Sequence, residues 1–250
     1  LVQWQNANPQ SPRQIDAVLI SIGGNDLLLA DAVKEFSFSA GGTMDMPSRS
    51  LMQRIAEAIN NLPGQLDVVI DRINREVRPR HIFFVEYPDP LRNERGQFCG
   101  GSRDVNPIQA IGHVLAGDLE RARRMSGFIS QHETSLAFNS ILLPLNRALR
   151  DAAARHANVT LVTGIQGATR NNGYCAPSNR RLFHTFVDSF AIQGDPYAAL
   201  HPNPDGTRRL SDRIVAQLRG PLLTVPVSSP RLRADELKGT NALKPFRTLK

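Results

Sequence analysis

"DAVLISIGGNDLLLADAV", residues 16–33, decides how this chain is read. A continuous apolar run, Ala17 to Ile22, suits a strand buried on both faces, as in a parallel sheet. It stops abruptly at Gly23-Gly24-Asn25-Asp26. The glycines permit a sharp exit from the strand, and Asn or Asp caps a helix starting near Leu27. A dinucleotide loop fits poorly, because G-x-G-x-x-G is not completed.

Working outward, helical spacing begins at Leu51 and continues through Ile55, Ala58, Ile59 and Leu62. Pro63-Gly64 is expected to interrupt it. The pattern resumes at Leu66, Val69, Ile70, Ile73 and Val77 and ends at Arg78-Pro79-Arg80. "HIFFVEYPDP", 81–90, reads as a second buried strand running into a Pro-rich loop. Residues 34–50 read as loop, and 91–135 as a long insertion with some helix around "GHVLAGDLERARRMSGFI". A helix over 139–156 turns Ile141, Leu142, Leu145, Leu149 and Ala152 to one side. "NVTLVTG", 158–164, is a third strand. Residues 165–206 read as one irregular stretch, a length that usually carries function. An amphipathic helix follows Gly206, with Leu210, Ile214, Val215 and Leu218 inward.

Alternating strands and helices predict an α/β fold with a parallel sheet. Such sheets carry their sites at the carboxyl ends of the strands. The expected organisation is one α/β domain over 1–219 and a basic tail or linker over 220–250.

The 250 residues are 41% hydrophobic and 21% charged, ordinary for a globular core. No apolar stretch approaches 18 residues, so no transmembrane segment is expected. The formal charge is +7 and the pI about 10.1. The arginines are scattered, Arg72 to Arg80 in one region and Arg121 to Arg124 in another, with no nucleic-acid motif beside them. A solvated surface is the better reading, and no nucleic-acid partner is expected. Cys99 and Cys175 both lie in loop sequence, "GQFCGGS" and "NNGYCAPSN". They form either a loop-to-loop disulfide, which implies an oxidising compartment, or two free thiols. No histidines stand at zinc-matching spacing, so no metal is expected.

The second chemical stretch is "GDPYAALHPNPDGTRRLSDRI", 194–214. As plain structure it is a loop with Asn203 or Asp205 capping the last helix. Yet His201 precedes Pro202-Asn203, which restricts the backbone and fixes where the imidazole sits. A ring held so that Nε2 can reach a nucleophile is what a general base requires.

Together these stretches resemble the SGNH, or GDSL-like, serine hydrolases. Gly23-Gly24-Asn25-Asp26 matches that family's G-x-N-D block, and His201-Pro202-Asn203 with Gly206 matches its late H-P-N…G block. The resemblance covers residues 15–218. It implies a three-layer α/β/α fold with a parallel sheet of flavodoxin-like type. It implies a serine ester hydrolase acting through an acyl-enzyme, without metal or organic cofactor. Asn25 would donate to the oxyanion, Gly23 would turn the backbone, Asp26 would orient the loop or cap the helix, and His201 would be the base.

Two departures matter. The family's G-D-S block is missing from the sequence. Ser11 precedes a proline, Ser21 falls inside the first strand, and Ser102 lies after the second. There is no G-x-S-x-G elbow. The nucleophile is therefore expected upstream of Leu1, and the first visible strand is expected to keep an unpaired, association-prone edge. The family's D-x-x-H also fails, because position 198 is Ala. Either Asp195 reaches the ring by another path or a backbone carbonyl orients it.

A lipid, carbohydrate or other small-molecule ester is the expected substrate, its pockets shaped by 91–135 and 165–195. Secretion or export to a periplasm is the expected location. The competing reading is a non-catalytic α/β binding module or a degenerate hydrolase relative.

Overall fold

A computed structural model describes residues 15–28, 31–32, 49–100, 130–195 and 198–223. Among the described residues three strands make one parallel sheet, β1 (Ala17–Ile20), β2 (His81–Val85) and β3 (Val159–Val162), in the order β1-β2-β3. Ala17 pairs with His81, and Ile82 with Val159. The chain is a mixed α/β protein, as its strand–helix alternation predicts.

Between β1 and β2 runs α1 (Arg49–Glu76), a single helix through Pro63. The expected break there does not occur. Leu62 and Leu66 are four residues apart and both buried, so the apolar face keeps its phase across the proline. Packing of that face outweighs the hydrogen bond Pro63 cannot donate. Arg78, at φ 51°, turns the chain into β2.

Between β2 and β3 the chain enters α2 (Gln131–Ala137), a five-residue π segment (Phe138–Leu142) and α3 (Leu143–Arg155). The helix therefore starts well before 139. Ser130 and Glu133 form a reciprocal capping box at its N-terminus. The π segment shifts the helix phase. Before it, Thr134 bonds the Cys99 carbonyl; after it, Leu145 and Leu149 enter the core.

Helices cover both faces of the sheet. On one, Ile20, Ile82, Phe84 and Val159 pack with Ile55, Leu62 and Ile70 of α1 and Leu145 and Leu149 of α3. On the other, Phe83, Val85 and Val162 pack with Leu210, Ile214 and Leu218 of the last helix. The run at β1 is not buried on both faces as expected. Leu19 is 48% exposed, because among the described residues β1 pairs with β2 on one side only.

The stretch 165–206 is not irregular. It contains α4 (Ile165–Thr169) and α5 (Phe186–Gln193), the latter opened by a Thr185–Asp188 capping box. The last helix, α6 (Pro204–Leu223), begins two residues before Gly206 and extends past Gly220, the expected start of the tail. Cys99 and Cys175 form a disulfide, their Cα atoms 5.7 Å apart. No helix among the described residues is long and apolar enough to cross a membrane. The expected loop over 34–48, the helix around 112–129, Ser11, Ser102 and the segment 224–250 lie outside the described residues.

Candidate active site

The turn after β1 is built by its glycines. Gly23 adopts φ 101°, in the left-handed region that penalises a side chain. A Cβ there would also stand 2.8 Å from Leu145 Cδ1. A Cβ on Gly24 would stand 2.9 Å from the Tyr87 hydroxyl, which instead accepts the Gly24 N–H at 3.1 Å. The Leu27 N–H donates to the Gly23 carbonyl and the Leu28 N–H to the Asn25 carbonyl. Leu27 is wholly buried, while Asn25 and Asp26 are exposed. Residues 24–28 form a turn, and residues 31–32 just beyond are helical, the Ala32 N–H donating to the Leu28 carbonyl; Asn25 sits in the turn with its carboxamide unbonded among the described residues.

The histidine loop is fixed from below. Asn203 caps α6: its Oδ1 accepts the Gly206 N–H at 2.8 Å and its Nδ2 donates to the Arg181 carbonyl at 2.7 Å. The Leu182 carbonyl accepts the Asn203 N–H and lies so close over Gly206 that a Cβ has no room. One step on, the His184 N–H donates to the His201 carbonyl and the Leu200 N–H donates to the His184 carbonyl. Buried Ser189 ties the other flank, donating to the Asp195 carbonyl at 2.6 Å and accepting the Ala198 N–H at 2.9 Å. Leu200 takes φ 64°, a conformation costly to a leucine and held by these bonds.

His201 emerges from this frame exposed, with Nδ1 3.2 Å from the Ala199 carbonyl oxygen. An oxygen acceptor there favours the tautomer with the proton on Nδ1, leaving Nε2 as the basic nitrogen. Asp195 is half-buried, and its carboxylate accepts from the Gln193 side chain at 2.6 Å.

Both turns reach the main buried cluster. Leu27 and Ala199 belong to one buried cluster, with Tyr87 packed against it. Asn25 lies two residues from Leu27, and His201 two from Ala199. Their side chains make no hydrogen bond to each other. The arrangement offers an exposed amide donor and an imidazole with a free basic nitrogen, each on a backbone fixed by several hydrogen bonds.

Ser189, Ser130 and Ser21 do not complete it. Ser189 is buried and its hydroxyl is committed to the loop. Ser130 is a helix cap. Ser21 lies one residue beyond β1 rather than inside it. Because Ile20 and Ile22 pack against the cluster holding Leu27, strand alternation turns Ser21 away. No group of three His, Cys, Asp or Glu suited to a metal occurs among the described residues.

Tyr87 and Asn146 escaped sequence reading. Asn146 is 2% exposed; its Oδ1 accepts the Tyr87 N–H at 2.8 Å and its Nδ2 donates to the Tyr87 carbonyl at 3.1 Å. The signal was present: a carboxamide on the apolar face of α3, between Leu145 and Leu149, must find polar partners. Tyr87 carried no comparable signal. No protein-family model matches the chain, and no curated protein matches it either.

Proposed function

We propose that this chain is the oxyanion-and-base portion of a serine ester hydrolase of SGNH type. On this reading the sheet belongs to a three-layer, flavodoxin-like architecture. The nucleophilic serine is carried by a segment preceding Leu1. Its hydroxyl oxygen attacks the ester carbonyl as His201 Nε2 takes the hydroxyl proton. Asn25 Nδ2 donates to the tetrahedral oxyanion, and the imidazolium returns its proton to the departing alcohol. Water then repeats the sequence on the acyl-enzyme. Ala199 O, rather than Asp195, steadies the ring. Lipid, carbohydrate and small aryl esters share the required carbonyl chemistry. The Cys99–Cys175 disulfide supports a secreted or periplasmic setting.

The observation that carries the reading is the bond between His201 Nδ1 and the Ala199 carbonyl. It gives an exposed histidine the tautomer a general base needs, on a loop sharing a buried cluster with the GGND turn.

The test joins this chain to its preceding coding segment and measures p-nitrophenyl acetate hydrolysis and labelling by a fluorophosphonate. The expected result is turnover, with label on one serine, and loss of both in His201→Ala. A folded protein that neither turns over nor labels would overturn the reading and leave a binding module.

A further inference from the structure

Asn25 stands on the most conformationally free dipeptide a chain can offer, two consecutive glycines. A donor that is to act on an oxyanion must have its direction set before the reaction. The turn's own bonds, from the Leu27 N–H to the Gly23 carbonyl and the Leu28 N–H to the Asn25 carbonyl, leave the Gly24 N–H to be fixed from outside. The Gly24 N–H is held at 3.1 Å by the Tyr87 hydroxyl, from the neighbouring strand's carboxyl end. Tyr87 is itself held at both backbone polar atoms by buried Asn146, rooted in α3. Leu145, next to Asn146, stands where a side chain on Gly23 would have to go. One turn of α3 thus supports both glycines, one by contact and one through a phenol.

We propose that Tyr87 is a positioning residue for Asn25, its hydroxyl pinning the Gly24 peptide and so the direction of the Asn25 carboxamide, with Asn146 as its anchor. This rests on reading Asn25 as the oxyanion donor. The hydroxyl and the ring have separable duties. The ring packs against the main cluster, which any phenyl would do. Only the hydroxyl reaches the Gly24 N–H.

Tyr87→Phe keeps the ring and removes the pin, so it is expected to fold normally. In the 250-residue chain, hydrogen exchange at the Gly24 amide should quicken about tenfold while the Ile70 and Phe84 amides stay unchanged. The side-chain amide of Asn25 should show a lower NMR order parameter. Unchanged exchange at Gly24, or an unchanged Asn25 order parameter, would overturn the proposal. In the serine-bearing protein, Tyr87→Phe should lower kcat about fivefold to tenfold with KM within about twofold and the pH midpoint unmoved. In Asn25→Ala it should then have no further effect. Losses that simply multiply would show that Tyr87 does not act through Asn25, and would also overturn the proposal. Absence of any turnover in the parent would sink the hydrolase reading, while the exchange and NMR results would still decide whether Tyr87 orients Asn25.

Discussion

The Ala199 carbonyl oxygen lies 3.2 Å from Nδ1 of His201, two residues further along the same loop. The acceptor that sets the ring's tautomer is therefore backbone, and it cannot be removed by changing a side chain. Nitrogen NMR of the neutral imidazole should find the proton on Nδ1. In the serine-bearing protein of the proposed function, Asp195→Asn should cost less than about tenfold in kcat, against the roughly 10⁴-fold loss that follows when a carboxylate orients the base. A loss near the larger figure would return the orienting role to Asp195.

Neighbouring positions in the GGND turn should fail in opposite ways. Asn25 is exposed and makes no side-chain hydrogen bond among the described residues. In the serine-bearing protein of the proposed function, Asn25→Ala should leave the melting temperature nearly unchanged and lower kcat by about 10²–10³-fold. Gly23→Ala should cost about 1–3 kcal/mol of stability through its positive φ, with the Leu145 contact adding to it. Denaturant unfolding beside ester hydrolysis separates the two. Equal losses in both measurements for Asn25→Ala would reduce it to a turn residue.

Gly206 is required by packing. Any side chain there meets the Leu182 carbonyl, which is already engaged with the Asn203 N–H. Gly206→Ala should destabilise by about 1–3 kcal/mol in urea unfolding. It should also loosen the Leu200–His184 pairing, seen as faster exchange of the Leu200 amide. A neutral variant would show that the strand-like contact between 182–184 and 200–203 gives way easily.

Tyr174 is almost fully buried, and its hydroxyl has no hydrogen-bond partner among the described residues. Burial pushes its ionisation up, and nearby Glu133 adds to this, so it stays protonated across the ordinary pH range. Removing an unpaired buried hydroxyl removes a desolvation cost. Tyr174→Phe should be neutral or stabilising by up to about 1 kcal/mol in urea unfolding. A clear loss would reveal a partner for that hydroxyl.

Asp67 joins α1 to the end of α3, accepting from Arg155 at 2.8 Å and meeting His156 at 2.9 Å. The Arg155 hydrogen bond, then that of His156, holds its carboxyl below the ordinary value. A carboxylate with a lowered folded pKa contributes stability above its unfolded pKa and loses it as pH falls through the folded one. The site is partly exposed, so Asp67→Asn should cost no more than about 1 kcal/mol near neutral pH. In urea unfolding the gap to the parent should close as the solution is acidified below the carboxylate range. A gap that persists in acid would assign the effect to shape rather than charge.

The sheet and its order of elements were legible because each strand is a short apolar run beside a helical repeat. Length and continuity were not. The break expected at Pro63 failed because Leu62 and Leu66 hold their phase across it. The capping boxes at Ser130–Glu133 and Thr185–Asp188 marked helix starts inside stretches read as insertion or loop. Within the site, His201 and Asn25 stood out by motif. Asn203 was legible as a cap, whereas the carbonyl over Gly206 belongs to a residue 24 positions earlier, and only folding brings it there. Tyr87 was invisible for the same reason, since its partner, the Gly24 N–H, is a backbone atom 63 positions away.

The Cys99–Cys175 link spans 76 positions, and all of α2, α3, β3 and α4 lie inside the loop it closes. A protease that nicks any peptide bond within that loop therefore cannot release either fragment. The cut protein would run as a single band on a non-reducing gel and separate into two only after a thiol is added.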